Sequence, residues 1–286
     1  KFLEKRNINY KVSKNINKEI DDIKKRFPSK LENVLLLTNC IWKIDLNLIN
    51  FFKKRIFNIH LGLLPTQKGA GGASWLKLIN SKISAVTIHK VDEEIDTGEI
   101  LLQTKFKLRK NFSLVEYYNQ ASSNERKTYN QFFKIIKKKN FFLKKQGKKN
   151  EVYMPRLNTK THGFIDWNWK AKHIVDFVNA FDEPYQGAST FIKGKKYLLK
   201  NAKLLRHKIN FHPFQSGIIF KKEKNSILIA ASEGVVQIRK ITDNSGKVIQ
   251  SKNLRLGARF FTPYKELEKT KIYTAIHNAN RISIKK

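Results

Sequence analysis

The sequence predicts an α/β fold with a parallel sheet, followed by a small β-barrel or OB-like domain. Three observations predict it. Up to residue 136, short apolar runs alternate with polar helical stretches, the pattern of βα units. Residues 137–152 are polar, rich in lysine and include Gly147, which reads as a linker. Beyond them, short alternating segments follow one another between turn residues, as in small barrels. The expected organisation is an amino-terminal domain over 1–136, a linker over 137–152 and a carboxy-terminal domain over 153–286.

The elements follow in order. Asn17–Phe27 reads as a surface helix stopping ahead of Pro28, because the residue before proline avoids helical geometry. Val34–Thr38 is apolar on both faces, as a buried parallel strand requires. Leu46–Lys54 is expected as a short helix, Ile56–His60 as the next strand and Ala73–Ile79 as a helix. Ser84–Asp92 and Gly98–Leu108 read as strands, and Ser113-Leu-Val-Glu116 is a capping box opening a helix to about Lys138. In the second half, Ile174, Phe177, Val178 and Phe181 share one face of a helix over Lys170–Phe181. Strands are expected near Gly187–Ile192, Tyr197–Leu205, Gly217–Phe220, Ser226–Ala231 and Val235–Ile241. Lys193-Gly194 and Asn244-Ser245-Gly246 supply turns between them.

A chain of 286 residues, 41% apolar, is long enough for two cores. Its single cysteine, Cys40, excludes an internal disulfide, fits a reducing compartment and argues against a Cys-based zinc site. The longest apolar runs are far below a membrane span and no basic-then-apolar leader is present, so a cytoplasmic protein is expected. His162, His173, His207, His212 and His277 show no ligand spacing, and no metal is expected. The net charge of +35 fits either contact with a polynucleotide or compositional bias. Lysines are spread over most segments, with one dense cluster at Lys134–Lys149, so charge alone does not decide.

The chemistry is carried by two short segments. Strand side chains alternate faces, so Asn58 and His60 project together where their strand runs into a glycine-rich loop. Carboxyl ends of strands are where open α/β sheets place ligands. Asp96, in Val91-Asp-Glu-Glu-Ile-Asp96-Thr-Gly98, arrives from a second segment. An amide, an imidazole and a carboxylate together suit acyl transfer to or from an amine. Donors aimed at the developing oxyanion contribute about 2.7–4 kcal/mol apiece in comparable sites. The carboxylate orients the imidazole, or takes the amine proton directly or through water. Each residue also has a plainer role, the Asn as a turn cap, the His as a structural group and Asp96-Thr97-Gly98 as a turn. His89 reads as a packing or substrate-contact residue.

Asn58-Ile-His60-Leu-Gly-Leu-Leu-Pro65, Lys68-Gly69 and Val86–Leu101 together resemble the formyltetrahydrofolate-dependent formyltransferases, in their methionyl-tRNA and amino-sugar branches. The separation of 38 residues between Asn58 and Asp96 fits as well. Gly163–Trp167 and Ala180–Ala188 are similar to the carboxy-terminal domain of those branches. The resemblance implies an amino-terminally truncated Rossmann-like catalytic domain, because Lys1 is not preceded by the first strand–helix unit, and an OB-like module after it. It also implies 10-formyltetrahydrofolate as formyl donor, a primary amine as acceptor, and Asn58, His60 and Asp96 as catalytic residues. Folate would meet Ile41, Trp42, Leu63, Leu64, Pro65 and the segment through Val91, Glu93 and Asp96. Lys68, Gly69, Gly71 and Gly72 would form a loop shaping the acceptor pocket. Gly62 departs from the family, where Ser or Ala is common, as do Thr66-Gln67-Lys68 and the Pro-free Ala70–Trp75. The altered loop, with Phe211-His-Pro213 and Leu256–Pro263, points to a nucleotide-linked amino sugar as acceptor. The alternative is charged initiator tRNA, supported by the charge. A second alternative is a non-catalytic OB-type nucleic-acid binder stacking bases on Trp167, Trp169, Tyr185 and Phe191, residues that otherwise fill the core. A homodimer is left open.

Overall fold

The computed structural model describes residues 4–8, 11–27, 34–40, 42–52, 55–70, 72–138, 140–205, 210–278 and 281–285. In chain order the strands are β1 (Leu35–Thr38), β2 (Ile56–His60), β3 (Lys68–Gly69), β4 (Ile83–Lys90), β5 (Ile100–Lys107), β6 (Tyr153–Met154), β7 (Ala188–Ile192), β8 (Lys195–Leu205), β9 (Ile219–Glu223), β10 (Ser226–Ala231), β11 (Gly234–Asp243), β12 (Thr274–Asn278) and β13 (Arg281–Lys285). The α-helices are α1 (Ile20–Arg26), α2 (Leu46–Phe51), α3 (Gly72–Leu78), α4 (Leu114–Ile136), α5 (Thr159–His162), α6 (Ala171–Ala180) and α7 (Tyr264–Ile272).

The first sheet has the order β1-β2-β4-β5. Only β1 and β2 run parallel; β2–β4 and β4–β5 are antiparallel. The sheet is therefore mixed, where a parallel one was expected. For β4 and β5 the connection explains it: residues 91–99 are too few for a helical crossover, so the chain returns beside β4 as a hairpin. Helices still cover both faces. Phe57 and Ile59 enter a core with Leu76 of α3 and Leu114, Tyr117 and Phe132 of α4. Ile56 enters a second core with Leu37, Leu48, Ile49 and Phe52. Asn58 and His60, two and four residues beyond Ile56, share its face of β2. Helix α4 starts as expected: the Ser113 hydroxyl accepts from the Glu116 N–H, and the Glu116 carboxylate accepts from the Ser113 N–H.

The lysine-rich stretch is tied down rather than free. Phe141 meets Phe57 edge-on at 6.1 Å, and Lys144 exchanges two 2.8 Å backbone bonds with Ile100 on edge strand β5. Further on, β6 pairs parallel with β3.

In the second half five antiparallel strands form a sheet of order β7-β8-β11-β10-β9, with α6 packed on one face. The expected barrel is not closed by a ladder. The gap between β7 and β9 is spanned by residues 258–261, which bridge Phe191 through Phe261 and Ile218 through Arg259 one residue at a time. Phe260 is buried in that segment, and backbone bonds from Ile219 to Ala258, Gly257 to Ile219 and Phe260 to Gly217 tie it to the β9 side. Trp167 is buried, stacked on Phe260 at 5.7 Å, and donates its indole N–H to Thr190 Oγ1 at 2.9 Å. Trp169 packs edge-on against Phe177 at 5.0 Å. Trp167 is a core aromatic, and Trp169 is half-buried against that core. The halves meet where α3 packs on α6; the Ser74 hydroxyl donates to the Ala180 carbonyl at 2.7 Å, and the Trp75 indole to Pro155 at 2.7 Å. Among the described residues no helix is long and apolar enough to cross a membrane.

Candidate active site

Strand β2 lies between β1 and β4, so the side chains leaving its end sit in the middle of the sheet rim. Asn58 lies opposite His89 of β4 in the antiparallel register. The β4–β5 hairpin then carries Asp96 back over both, buried and with φ at +57°. His60 Nδ1 lies 3.4 Å from Asp96 Oδ2, His89 Nε2 lies 3.2 Å from Oδ1, and the Asn58 amide lies 3.5 Å from Oδ1. The Gly69 N–H donates to Oδ2 at 2.8 Å. The three predicted residues therefore converge, with His89 and the Gly69 amide added.

Burial works against the Asp96 charge, but His60, the His89 hydrogen bond and the Gly69 N–H outweigh it. Its carboxyl is held well below the usual carboxylate range. His60 faces acceptors on both ring nitrogens, because Nε2 lies 2.6 Å from the Gln67 carbonyl. Gly62 makes that contact possible: a Cβ there would collide with the His60 ring and stand 2.6 Å from the Gln67 carbonyl. The family departure at Gly62 thus has a local steric cause. Asn58 Oδ1 is buried without a hydrogen-bond partner, while its nitrogen lies 3.3 Å from His89 Nε2.

These groups wall a cavity of about 480 Å³ at the rim. Trp42, Val91, Gly69 and Gly72 line it, as expected for donor and acceptor segments. Leu63, Leu64, Pro65, Glu93 and Lys68 do not. Leu64 is buried in the turn, Glu93 faces solvent, and Lys68 is buried against Glu151 at 2.6 Å. Ile41 and Gly71 lie outside the described residues. Across the cavity Tyr118 of α4 and Tyr185 pair their hydroxyls at 3.0 Å. Burial and that pairing push the Tyr118 hydroxyl up, keeping it neutral. Burial likewise pushes up the thiol of Cys40, which removes a thiolate nucleophile from the cavity wall. Among the described residues no group of three or more His, Cys, Asp or Glu is arranged to hold a metal ion.

Two family models match this chain, "Formyl transferase" over residues 5–133 and "Formyl transferase, C-terminal domain" over residues 158–259. The chain belongs to the formyltransferase family. A methionyl-tRNA formyltransferase of Clostridium tetani is 26% identical over 190 residues, covering 66% of this chain and 60% of that protein. The chain thus spans about 60% of the length of the curated relatives it matches. HypX from Aquifex aeolicus shares the fold at a TM-score of 0.62 and 19% identity, over 85% of this chain and 41% of its own. An N-formyltransferase from Helicobacter canadensis, solved with folinic acid and dTDP-3-aminofucose, does so at 0.55 and 22%, over 71% of each chain.

In this formyltransferase-family chain, the cavity also takes in Tyr118 and Arg156, which the sequence did not mark, and His89 and Tyr185, which it marked for other roles. His89 was legible in principle, since antiparallel pairing of β4 with β2 sets it opposite Asn58. Tyr118, Tyr185 and Arg156 come from three distant segments. No local pattern brings such residues together.

Proposed function

We propose that this chain transfers a formyl group from 10-formyltetrahydrofolate to a primary amine on a nucleotide-linked amino sugar. The observation that carries the reading is the meeting of Asn58, His60 and Asp96, each pair linked through the carboxylate within 3.5 Å, at the rim cavity. The residues present fit a folate. Leu37, Trp42 and Ile44 offer an apolar wall for a flat heterocycle, and the peptide run from Val91 to Asp96 offers polar edges. HypX has been solved with tetrahydrofolic acid, and the Helicobacter protein with folinic acid.

Folate supplies the formyl carbon; the residues supply geometry and charge. As the amine adds, negative charge gathers on the formyl oxygen. The Asn58 amide, with its nitrogen 3.5 Å from Asp96 Oδ1, keeps its second N–H as a donor for the formyl oxygen. Asp96, strongly held as an anion, is a weak base. It anchors both imidazoles beside the cavity while the amine sheds its proton.

The amino-sugar acceptor is supported by the size of the cavity and by its far wall. Tyr118 and Tyr185 hydroxyls suit sugar oxygens, and the exposed Arg156 suits a phosphate. The Helicobacter protein's bound dTDP-3-aminofucose is of this class. Charged initiator tRNA is the second reading, favoured by the curated relatives and by the net charge of +35. The test supplies 10-formyltetrahydrofolate with either a dTDP-linked amino sugar or methionyl-tRNA. A formamido sugar is expected. Product from tRNA alone would replace the acceptor, and product from neither would remove the transferase reading.

A further inference from the structure

We propose that Gln146, carried by the lysine-rich strap, is a positioning residue for the Asp96 carboxylate. The inference rests on the reading of Asp96 as part of a formyl-transfer site. Asp96 sits in the left-handed region at φ +57°, which Asp enters more readily than most residues and which surrounding contacts fix in place. Its turn is tight: a Cβ at Gly98 would run into the Lys90 carbonyl. Inside the hairpin the Thr97 hydroxyl donates to Asp92 Oδ1 at 2.6 Å, and a second hold comes from outside it. Gln146 Nε2 donates to the Asp96 carbonyl at 2.9 Å and to the Gly98 carbonyl at 2.7 Å, using both amide protons. Its Oε1 is buried without a partner, so those two carbonyls alone orient the amide. The opposite orientation would press oxygen against oxygen.

Gln146 is itself pinned. Two residues earlier Lys144 is bonded to Ile100 of β5 in both directions, and Phe141 packs on Phe57. A span that the sequence marks as a linker thereby reaches the backbone of the charged residue at the site. The need for it is visible at the carboxylate. Its contacts to His60, His89 and Asn58 lie at 3.4, 3.2 and 3.5 Å, near the outer limit of such bonds. Only the Gly69 N–H is close, at 2.8 Å. A small displacement of the turn breaks the set.

Two variants separate positioning from general stability. Gln146→Met keeps length and removes the donors; Gln146→Glu keeps shape and donates only when protonated. The first readout is amide exchange at Gly69, followed by NMR, because that N–H is protected by Asp96. Exchange at Gly69 is expected to quicken about tenfold or more in Gln146→Met, while the β4–β5 amides keep their protection. The second readout is turnover: kcat falls about tenfold or more and KM for the folate donor changes little. Gln146→Glu is impaired at neutral pH and recovers relative to wild type as the pH is lowered and its carboxyl becomes a donor. Wild-type protection at Gly69 in both variants would overturn the proposal, as would loss of protection throughout the sheet. If wild type transfers no formyl group, the transferase reading falls and the Gly69 exchange still decides the positioning role.

Discussion

Asp96 holds the site together, and its surroundings set what replacing it does. Asp96→Asn keeps the shape and an oxygen for the Gly69 N–H but removes the charge between two imidazoles. Formyl transfer is expected to fall by about 10²–10³-fold with an unchanged circular dichroism spectrum. Near-normal turnover would remove Asp96 from the mechanism. The same carboxyl links stability to pH. Its folded value lies below the ordinary 3.8, so it stabilises the fold above that pH and the contribution is lost as pH falls below it. The urea midpoints of wild type and Asp96→Asn should therefore differ most at neutral pH and converge in acid. Gly62→Ser, which restores a common family residue, should displace His60 and cost about 1–3 kcal/mol, read in the same unfolding experiment. Asn58 and His60 were legible from strand alternation alone. Asp96 needed the motif, and His89 needed the strand pairing.

Local signals were strongest where one element carries its own instructions. The Ser113–Glu116 capping box opens α4 where the sequence marks it, and both reciprocal bonds are made. Ser113→Ala removes a cap and should destabilise by about 1 kcal/mol, seen as a lower urea midpoint. Strand β10 spans the expected residues, Ser226–Ala231, because a continuous apolar run between turns leaves few alternatives. Strand direction was less legible. Both β4 and β5 were placed, but apolar content does not state orientation; loop length does, and residues 91–99 close as a hairpin. That reversal puts Asp96 at the site, because a helical crossover would carry it away from the rim.

The whole molecule joins two layered halves through α3 and α6, with Ser74 buried at the joint. Ser74→Ala leaves the Ala180 carbonyl without that donor and should cost about 1–3 kcal/mol in unfolding measurements. Salt separates the two acceptors at this scale. Transfer to an amino-sugar nucleotide should change little between 50 and 200 mM salt, whereas binding of a tRNA making many phosphate contacts would weaken by about 10³-fold or more. A steep salt slope in KM would favour the tRNA reading.

By itself the sequence determined the main strands and helices as far as Ile241, and which strand presents an amide and an imidazole on one face. Those follow from periodicity, turn chemistry and capping, all of which act within a few residues. The short β3, β6 and α5 were not read from it, nor were α7 and the β12–β13 hairpin. Tertiary structure decided the mixed direction of the first sheet, the open edge of the second and the reach of Asp96 across to His60 and His89. It also decided the hold of Gln146 on the Asp96 turn. Each of these depends on loop closure and pairing between segments far apart in the chain, where no local pattern states which partner will arrive.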